Sequence, residues 1–425
     1  MEKATSFFDE KEGMPLEERE GYFNDRLRWI VEHAYKNAPA MRDKMDRAGV
    51  TPSQIRTIKD LENIPITSKE ELRDMQRANP PFGGLLTVPV QSLRRICLST
   101  GPIYDAFESA ASYLSRGLAK AYYTGGVRRG DLVLNTFPYH MIPSGVSVDE
   151  AIGIIGATVI PAGPRNTELQ VQLMRELGVN AYVGVPDFLA ILVKKTEEMG
   201  YDFRRDFAMC KAVIAGQKYD PSVRKELDED YGIAISEFYG TPEMMLAYEC
   251  GEGNGMHIPE ELILEIVDHN TGRQLGPGEV GEVVVTPFNE AYPLIRFGTG
   301  DFSLYTDEPC PCGRTSPRLV GIAGRVGEAV RVRSLFIHPK EAEGVFSRFA
   351  EVSRSQLVIT RSGTRDGIAC KVELREDVVD KGQLSGEIKK TFREICRLGI
   401  DDVEFVSQGT IPEGAKTIVD ERKWG

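Results

Sequence analysis

Asp301, Cys310, Cys312 and Arg325 fall in one short stretch of the chain, in an order that few folds need. Arg296 and Asp301 close a strand-like run, Tyr292-Pro-Leu-Ile-Arg296-Phe-Gly-Thr-Gly-Asp301. A close thiol pair, Cys310-Pro-Cys312, follows. A Gly324-Arg325 turn then opens a basic strand carrying Arg331 and Arg333. Upstream lies Cys250-Gly-Glu-Gly-Asn-Gly-Met-His257. Three thiolates and one imidazole suit a tetrahedral Zn²⁺. Both halves sit in Gly/Pro loops that need stapling. With all four positions filled by protein, such an ion would be structural. The alternative is a set of ordinary buried cysteines. Cys97, Cys210 and Cys370 lie in or beside apolar strand-like runs and Cys396 in a helix, so all four read as core.

The elements that must position these residues follow from periodicity. Leu27, Ile30, Val31 and Ala34 recur at helical spacing and predict one buried face. Ser68 and Glu71 have the spacing of a capping box. From 130 to 240 strand-like runs (DLVLNTF, ATVIPA, AYVGV, KAVIAG, AISEFYG) alternate with helical stretches. That alternation predicts an α/β fold, a parallel sheet with helices on both faces. Ligands of such sheets bind beyond the carboxyl ends of the strands. LILEIVD, GEVVVTPF and residues 291–305 predict an antiparallel lobe. After Gly324-Arg325 the pattern changes to a small α+β unit.

The bulk properties narrow the function classes. The chain has 425 residues, enough for two or three domains, and a net charge of −12. That charge argues against a nucleic-acid partner held by phosphate neutralisation. No apolar run approaches the roughly 20 residues of a membrane span. The first residues are acidic and lack the apolar core of a signal peptide. Seven scattered cysteines fit a reducing cytoplasm better than a disulfide framework.

The ordered set resembles the late motifs of adenylate-forming enzymes, specifically the phenylacetate–CoA ligase family. There "YPLIRYRTGD" is followed by "CPCGRT" and "GR". The resemblance covers nearly the whole chain, from about residue 20 to the end. It implies a large N-terminal AMP-binding domain, residues 1–324, with parallel sheets, helices and a small antiparallel lobe. A small mobile α+β domain, residues 325–425, would act as a lid. The family glycine-rich turn is matched by Phe238-Tyr239-Gly240-Thr241-Pro242-Glu243. It implies that Tyr239 packs on adenine and that Glu243 holds Mg²⁺, a hard ion suited to oxygen ligands. Pro242 takes the usual hydroxyl position, so Thr241 would supply that group. Ala215-Gly216-Gln217 matches the loop lining adenine and ribose. Asp301 matches the acid that accepts from both ribose hydroxyls, for which a carboxylate has two acceptor oxygens. Arg325 matches the hinge arginine that reaches ribose or phosphate. The Cys₃His set matches a zinc site that many members of the family carry.

The chain also departs from the family. Ser99-Thr100-Gly101 opens the phosphate loop, but Pro102 follows and the lysine is missing. Asp105 is then expected to face, and repel, the triphosphate. Tyr139-His140 resembles the aromatic motif of the acyl pocket, where His140 would orient the carboxylate or serve as a plain structural residue. Lys416 lies two residues beyond Gly414, the position expected for the adenylation lysine, and is either that lysine or a surface one. Arg331 and Arg333 would face CoA or the nucleotide, and Ser334 replaces the glycine usual along the pantetheine arm.

The resemblance implies ATP-dependent activation of a carboxylic acid, aryl or arylacetic, to acyl-AMP, followed by transfer to CoA. An amine or a carrier-protein thiol as acceptor is a second reading, and a nucleotide- or acyl-adenylate-binding homologue with weakened catalysis a third. A homodimer is common among relatives.

Overall fold

The computed structural model describes residues 7–99, 102–109, 111–217, 221–242, 244–269, 271–325, 330–333, 335–337, 339–362, 365–375, 380–396 and 398–422. The chain separates into two compact units, Met1–Gly216 with Pro221–Gly324, and Gln217–Asp220 with Arg325–Gly425.

The first unit opens with helices. Helix Leu16–Asn37 buries Phe23, Leu27, Ile30, Val31 and Ala34 on one face, as the spacing predicts. Helix Lys69–Ala78 starts where Ser68 Oγ accepts the Glu71 amide at 3.1 Å, the helix-entry half of the expected box. The strands follow. β1 (Arg95–Ser99) and β2 (Ile103–Phe107) form an antiparallel hairpin. β3 (Leu132–Asn135), β4 (Thr158–Pro161), β5 (Ala181–Gly184), β6 (Lys211–Ala215) and β7 (Ala234–Thr241) alternate with helices. β8 (Met244–Glu249), β9 (Met256–His257), β10 (Leu262–Val267), β11 (Gly281–Pro287), β12 (Phe297–Thr306) and β13 (Arg318–Arg325) complete the unit.

Among the described residues, eleven of these strands form one sheet, ordered β10-β11-β12-β13-β9-β8-β7-β6-β5-β3-β4. From β7 to β4 neighbours run parallel, and from β7 to β10 the pairs with a resolved register run antiparallel. The antiparallel strands thus extend the parallel ones in a single ladder. Two apolar clusters flank it. One joins the N-terminal helices to β10, β11 and the 288–297 segment. The other packs helix Tyr113–Thr124 and helix Ser144–Ile155 over the parallel strands.

The second unit holds a short hairpin, β14 (Val330–Val332) with β15 (Leu335–Ile337). It also holds a four-stranded sheet made of β16 (Val352–Ser362), β17 (Arg365–Leu374), β18 (Asp402–Val406) and β19 (Ile418–Asp420), ordered β18-β17-β16-β19. Helices Pro339–Phe346 and Lys381–Cys396 share its core. No described helix is long and apolar enough to cross a membrane.

Candidate active site

The thiol cluster is assembled from three loops. β8 ends at Glu249 and delivers Cys250, β9 carries His257, and the turn after β12 brings Cys310 and Cys312. Their ligand atoms all lie within 4.8 Å of one another. The Cys250 and Cys310 sulfurs are 3.7 Å apart, and Cys312 Sγ is 3.3 Å from His257 Nε2. On a tetrahedral zinc, two thiolates stand about 3.8 Å apart and a thiolate and imidazole nitrogen about 3.5 Å, so the spacing fits. His257 Nδ1 faces Ser316 Oγ at 3.0 Å, which leaves Nε2 for an ion. The Cys312 thiol is drawn down, first by its hydrogen bond with Cys250 and then by His257. That same bond, followed by burial, pushes Cys250 up. Arg314 locks the knot to the N-terminal turn: its Nε donates to buried Glu12 at 2.7 Å.

The nucleotide-side residues lie on β6, β7 and β12. Ala215 and Phe238 are partners in the β6–β7 register. Gly216 takes φ +87°, the left-handed region that lets the chain leave β6 sharply. Tyr239 lies in the β7–β8 hairpin. A Cβ on Gly240 would stand 2.7 Å from the Met244 carbonyl, so the hairpin needs glycine there. Tyr239-Gly240-Thr241 therefore turns back into a strand, not into a helix. The Tyr239 hydroxyl donates to Asp301 Oδ2 at 2.7 Å, which joins β7 to β12 through two residues predicted to share a ligand. Asp301 is only 1% exposed. The buried Thr241 Oγ1 has no hydrogen-bond partner among the described residues.

The phosphate loop differs from its sequence reading. Ser99 and Ile103 close the β1–β2 ladder, so only residues 100–102 stand outside it. Asp105 is not in the loop. It sits inside β2 opposite Cys97 and is buried, so it does not face a triphosphate as expected. Ser99 is also buried, its Oγ 3.4 Å from the Ile103 carbonyl. Thr100, Gly101 and Glu243 lie outside the described residues, as do the side chains of Arg325 and Arg331.

His140 is exposed in the loop after β3. The Leu98 amide donates to the Met141 carbonyl at 2.7 Å, so this loop is tied to the phosphate hairpin. In the second unit, Lys416 is exposed just before β19. Arg333 is held within its own unit. Its Nε donates to the Asp366 carbonyl at 2.9 Å, and its other nitrogens reach the Gly399 carbonyl and Asp401.

Two sets of contacts escaped the sequence reading. Arg296, 1% exposed at φ +52°, pairs with Glu265 in β10 and donates to the Ile64 and Gly272 carbonyls at 2.9 and 2.7 Å. The glutamate inside the apolar run LILEIV was the available signal. At the end of β3, Asn135 Nδ2 and the Tyr139 hydroxyl both donate to Asp149 Oδ1, at 3.1 and 2.6 Å. Asp149, an acid within the largely apolar helix Ser144–Ile155, was the signal there.

Residues 108–287 match the family described as AMP-binding enzyme. A phenylacetate-coenzyme A ligase of Thermus thermophilus is 31% identical over 379 residues, 86% of this chain and 84% of the relative. One from Escherichia coli K12 is 29% identical over 426 residues, 95% and 94% of the two chains. The crystal structure of 2-hydroxyisobutyryl-CoA ligase in complex with 2-HIB-AMP and CoA aligns with a TM-score of 0.90. Its sequence is 25% identical, and the match covers 97% of this chain and 92% of that one. Fold and relatives together define an AMP-forming acid–CoA ligase, an α/β enzyme of the adenylate-forming class. Within that class, the chain belongs to the phenylacetate–CoA ligase family.

Proposed function

We propose that this chain activates a small carboxylic acid, of the aryl or arylacetic kind, with ATP and passes the acyl group to CoA. A carboxylate oxygen attacks the α-phosphorus and the bond to pyrophosphate breaks, leaving acyl-AMP. The CoA thiol then attacks the acyl carbon, its proton passes to solvent, and AMP leaves. The observation that carries this reading is the hydrogen bond from Tyr239 in β7 to Asp301 in β12, which would set an aromatic ring beside an acceptor for the ribose diol. Ala215 and Gly216 would line the adenine and ribose, with Gln217 following in the same loop. The Thr241 hydroxyl would reach the α-phosphate, and Ser99, Thr100 and Gly101 the outer phosphates. Arg325 would meet the ribose, Lys416 the developing charge on phosphorus, and His140 the acid's carboxylate.

Mg²⁺, bound with Glu243, would neutralise phosphate charge. A Zn²⁺ held by Cys250, His257, Cys310 and Cys312 would staple the β8–β9 turn to the turn after β12. CoA is the acceptor we favour over a carrier-protein thiol. No disulfide joins any of the seven cysteines, which suits the cytoplasm. Pyrophosphate exchange across a panel of carboxylic acids, followed by CoA consumption, tests the reading. Acid-dependent exchange and loss of free CoA thiol are expected. Nucleotide binding with no exchange for any acid would overturn it.

A further inference from the structure

The acid itself can be narrowed from one corner of the first unit. Asn135 is the last residue of β3, Tyr139 lies in the loop that follows, and Asp149 is in helix Ser144–Ile155. All three lie at the carboxyl end of a parallel strand, where sheets of this kind take their ligands. Asp149 Oδ1 is saturated: the Tyr139 hydroxyl donates to it at 2.6 Å and Asn135 Nδ2 at 3.1 Å. Asn135 Nδ2 also lies 2.7 Å from the Tyr139 oxygen and 2.9 Å from the Gly145 carbonyl, so the cluster is cross-braced. Asp149 Oδ2 has no hydrogen-bond partner among the described residues and is open to solvent, since it is not one of the buried atoms left without a partner.

A carboxylate only accepts hydrogen bonds. One oxygen is therefore fixed by two donors and the other is presented in a set direction without one. The Tyr139 hydroxyl stays protonated, because burial and the hydrogen bond to Asp149 both push it far above its usual range. Tyr122, whose ring packs edge-on against Phe238, lies beside Tyr139 and Asp149, and its buried hydroxyl has no partner among the described residues. One oriented acceptor beside aromatic rings suits the reading of a single polar group on an otherwise apolar ligand.

We infer that Asp149 is a specificity-determining residue, and that the acid activated here carries a hydrogen-bond donor, a hydroxyl or an amino group, on its carbon skeleton. This rests on the acid-activating role proposed above. A site built to hydrogen-bond a substrate group rejects the analogue that lacks it more strongly than an apolar pocket does. A neutral hydroxyl suffices, because two donors already offset the charge on Asp149 Oδ1.

The test is pyrophosphate exchange with matched acids: aryl acids unsubstituted, hydroxylated, amino-substituted and O-methylated at the same ring positions. The full-length enzyme is compared with the Asp149→Asn and Asp149→Leu variants. The wild type is expected to favour a hydroxylated or amino-substituted acid over its parent by tenfold or more in kcat/KM. Asp149→Leu should erase that ratio, read as the quotient of kcat/KM for the two acids whatever the absolute rate of exchange. Asp149→Asn, near-isosteric and offering donors, should shift preference toward the O-methylated analogue. If only Asp149→Leu fails to fold, the Asp149→Asn preference still decides. Exchange without preference in the wild type, or an unchanged preference in both variants, would overturn the inference and leave the ligase reading standing. Exchange with no acid at all would instead remove the ligase reading, and this one with it.

Discussion

The thiol cluster and the nucleotide side of the first unit are built differently. Cys250, His257, Cys310 and Cys312 converge until their ligand atoms fall within 4.8 Å, and all but Cys312 are buried. The nucleotide-side residues stand apart on β1, β6, β7 and β12, with Tyr239 and Asp301 linked at 2.7 Å. A structural centre gathers its ligands because the protein supplies every position. A substrate site spaces its groups because the substrate must fit between them. A closed cluster should therefore respond to substitution through stability, and an open one through affinity and rate.

Metal loss should have the largest effect. Cys312→Ser, or treatment with a strong chelator, should release one zinc per chain, cost several kcal/mol and lower the Tm by more than about 5 °C. Elemental analysis and calorimetry check this, and protein purified without chelator that holds no stoichiometric metal would break the comparison. Next in size, Lys416→Ala should slow pyrophosphate exchange by roughly 100-fold or more. Because Lys416 is exposed, its Tm should stay unchanged. A rate unchanged within twofold would return Lys416 to the surface. Asp301→Ala should raise the ATP Kd about tenfold, or about 1.4 kcal/mol, as read by calorimetry. An unaltered Kd would take Asp301 out of the site. The smallest effect belongs to Tyr239→Phe. It keeps the ring but removes the hydrogen bond that orients Asp301, and should weaken ATP by about threefold. A larger loss than for Asp301→Ala would mean the hydroxyl touches the nucleotide itself.

What the sequence made legible was local. Period-2 and period-3.6 patterns locate β3 to β7 and helix Leu16–Asn37, because burial on one face repeats along the element. The Cys₃His set was legible because those residue types in Gly/Pro loops have few other uses. The partners of charged residues were not. Arg296 meets Glu265 and the 64 and 272 carbonyls, contacts that exist only once β10, β12 and the N-terminal segment are packed. Arg333 looked like a ligand contact in a basic strand, yet Asp366, Gly399 and Asp401 hold it. Asp105 looked like part of a loop until pairing with Cys97 drew it into the hairpin. In each case the deciding neighbour lies in another element, and its identity depends on register.

The strand order carries a further consequence. β3, which leads to Tyr139 and Asp149, lies one strand from one edge of the sheet, whereas β7, which carries Tyr239, is central and β12, which carries Asp301, lies toward the opposite edge. The corner that would discriminate between acids is thus carried by a different strand from those that would seat ATP, joined to the phosphate hairpin by the bond from the Leu98 amide to the Met141 carbonyl. Segment 136–150 is a natural cassette for loop grafting. Recombination among relatives there could diversify the acids accepted while the nucleotide chemistry is inherited intact.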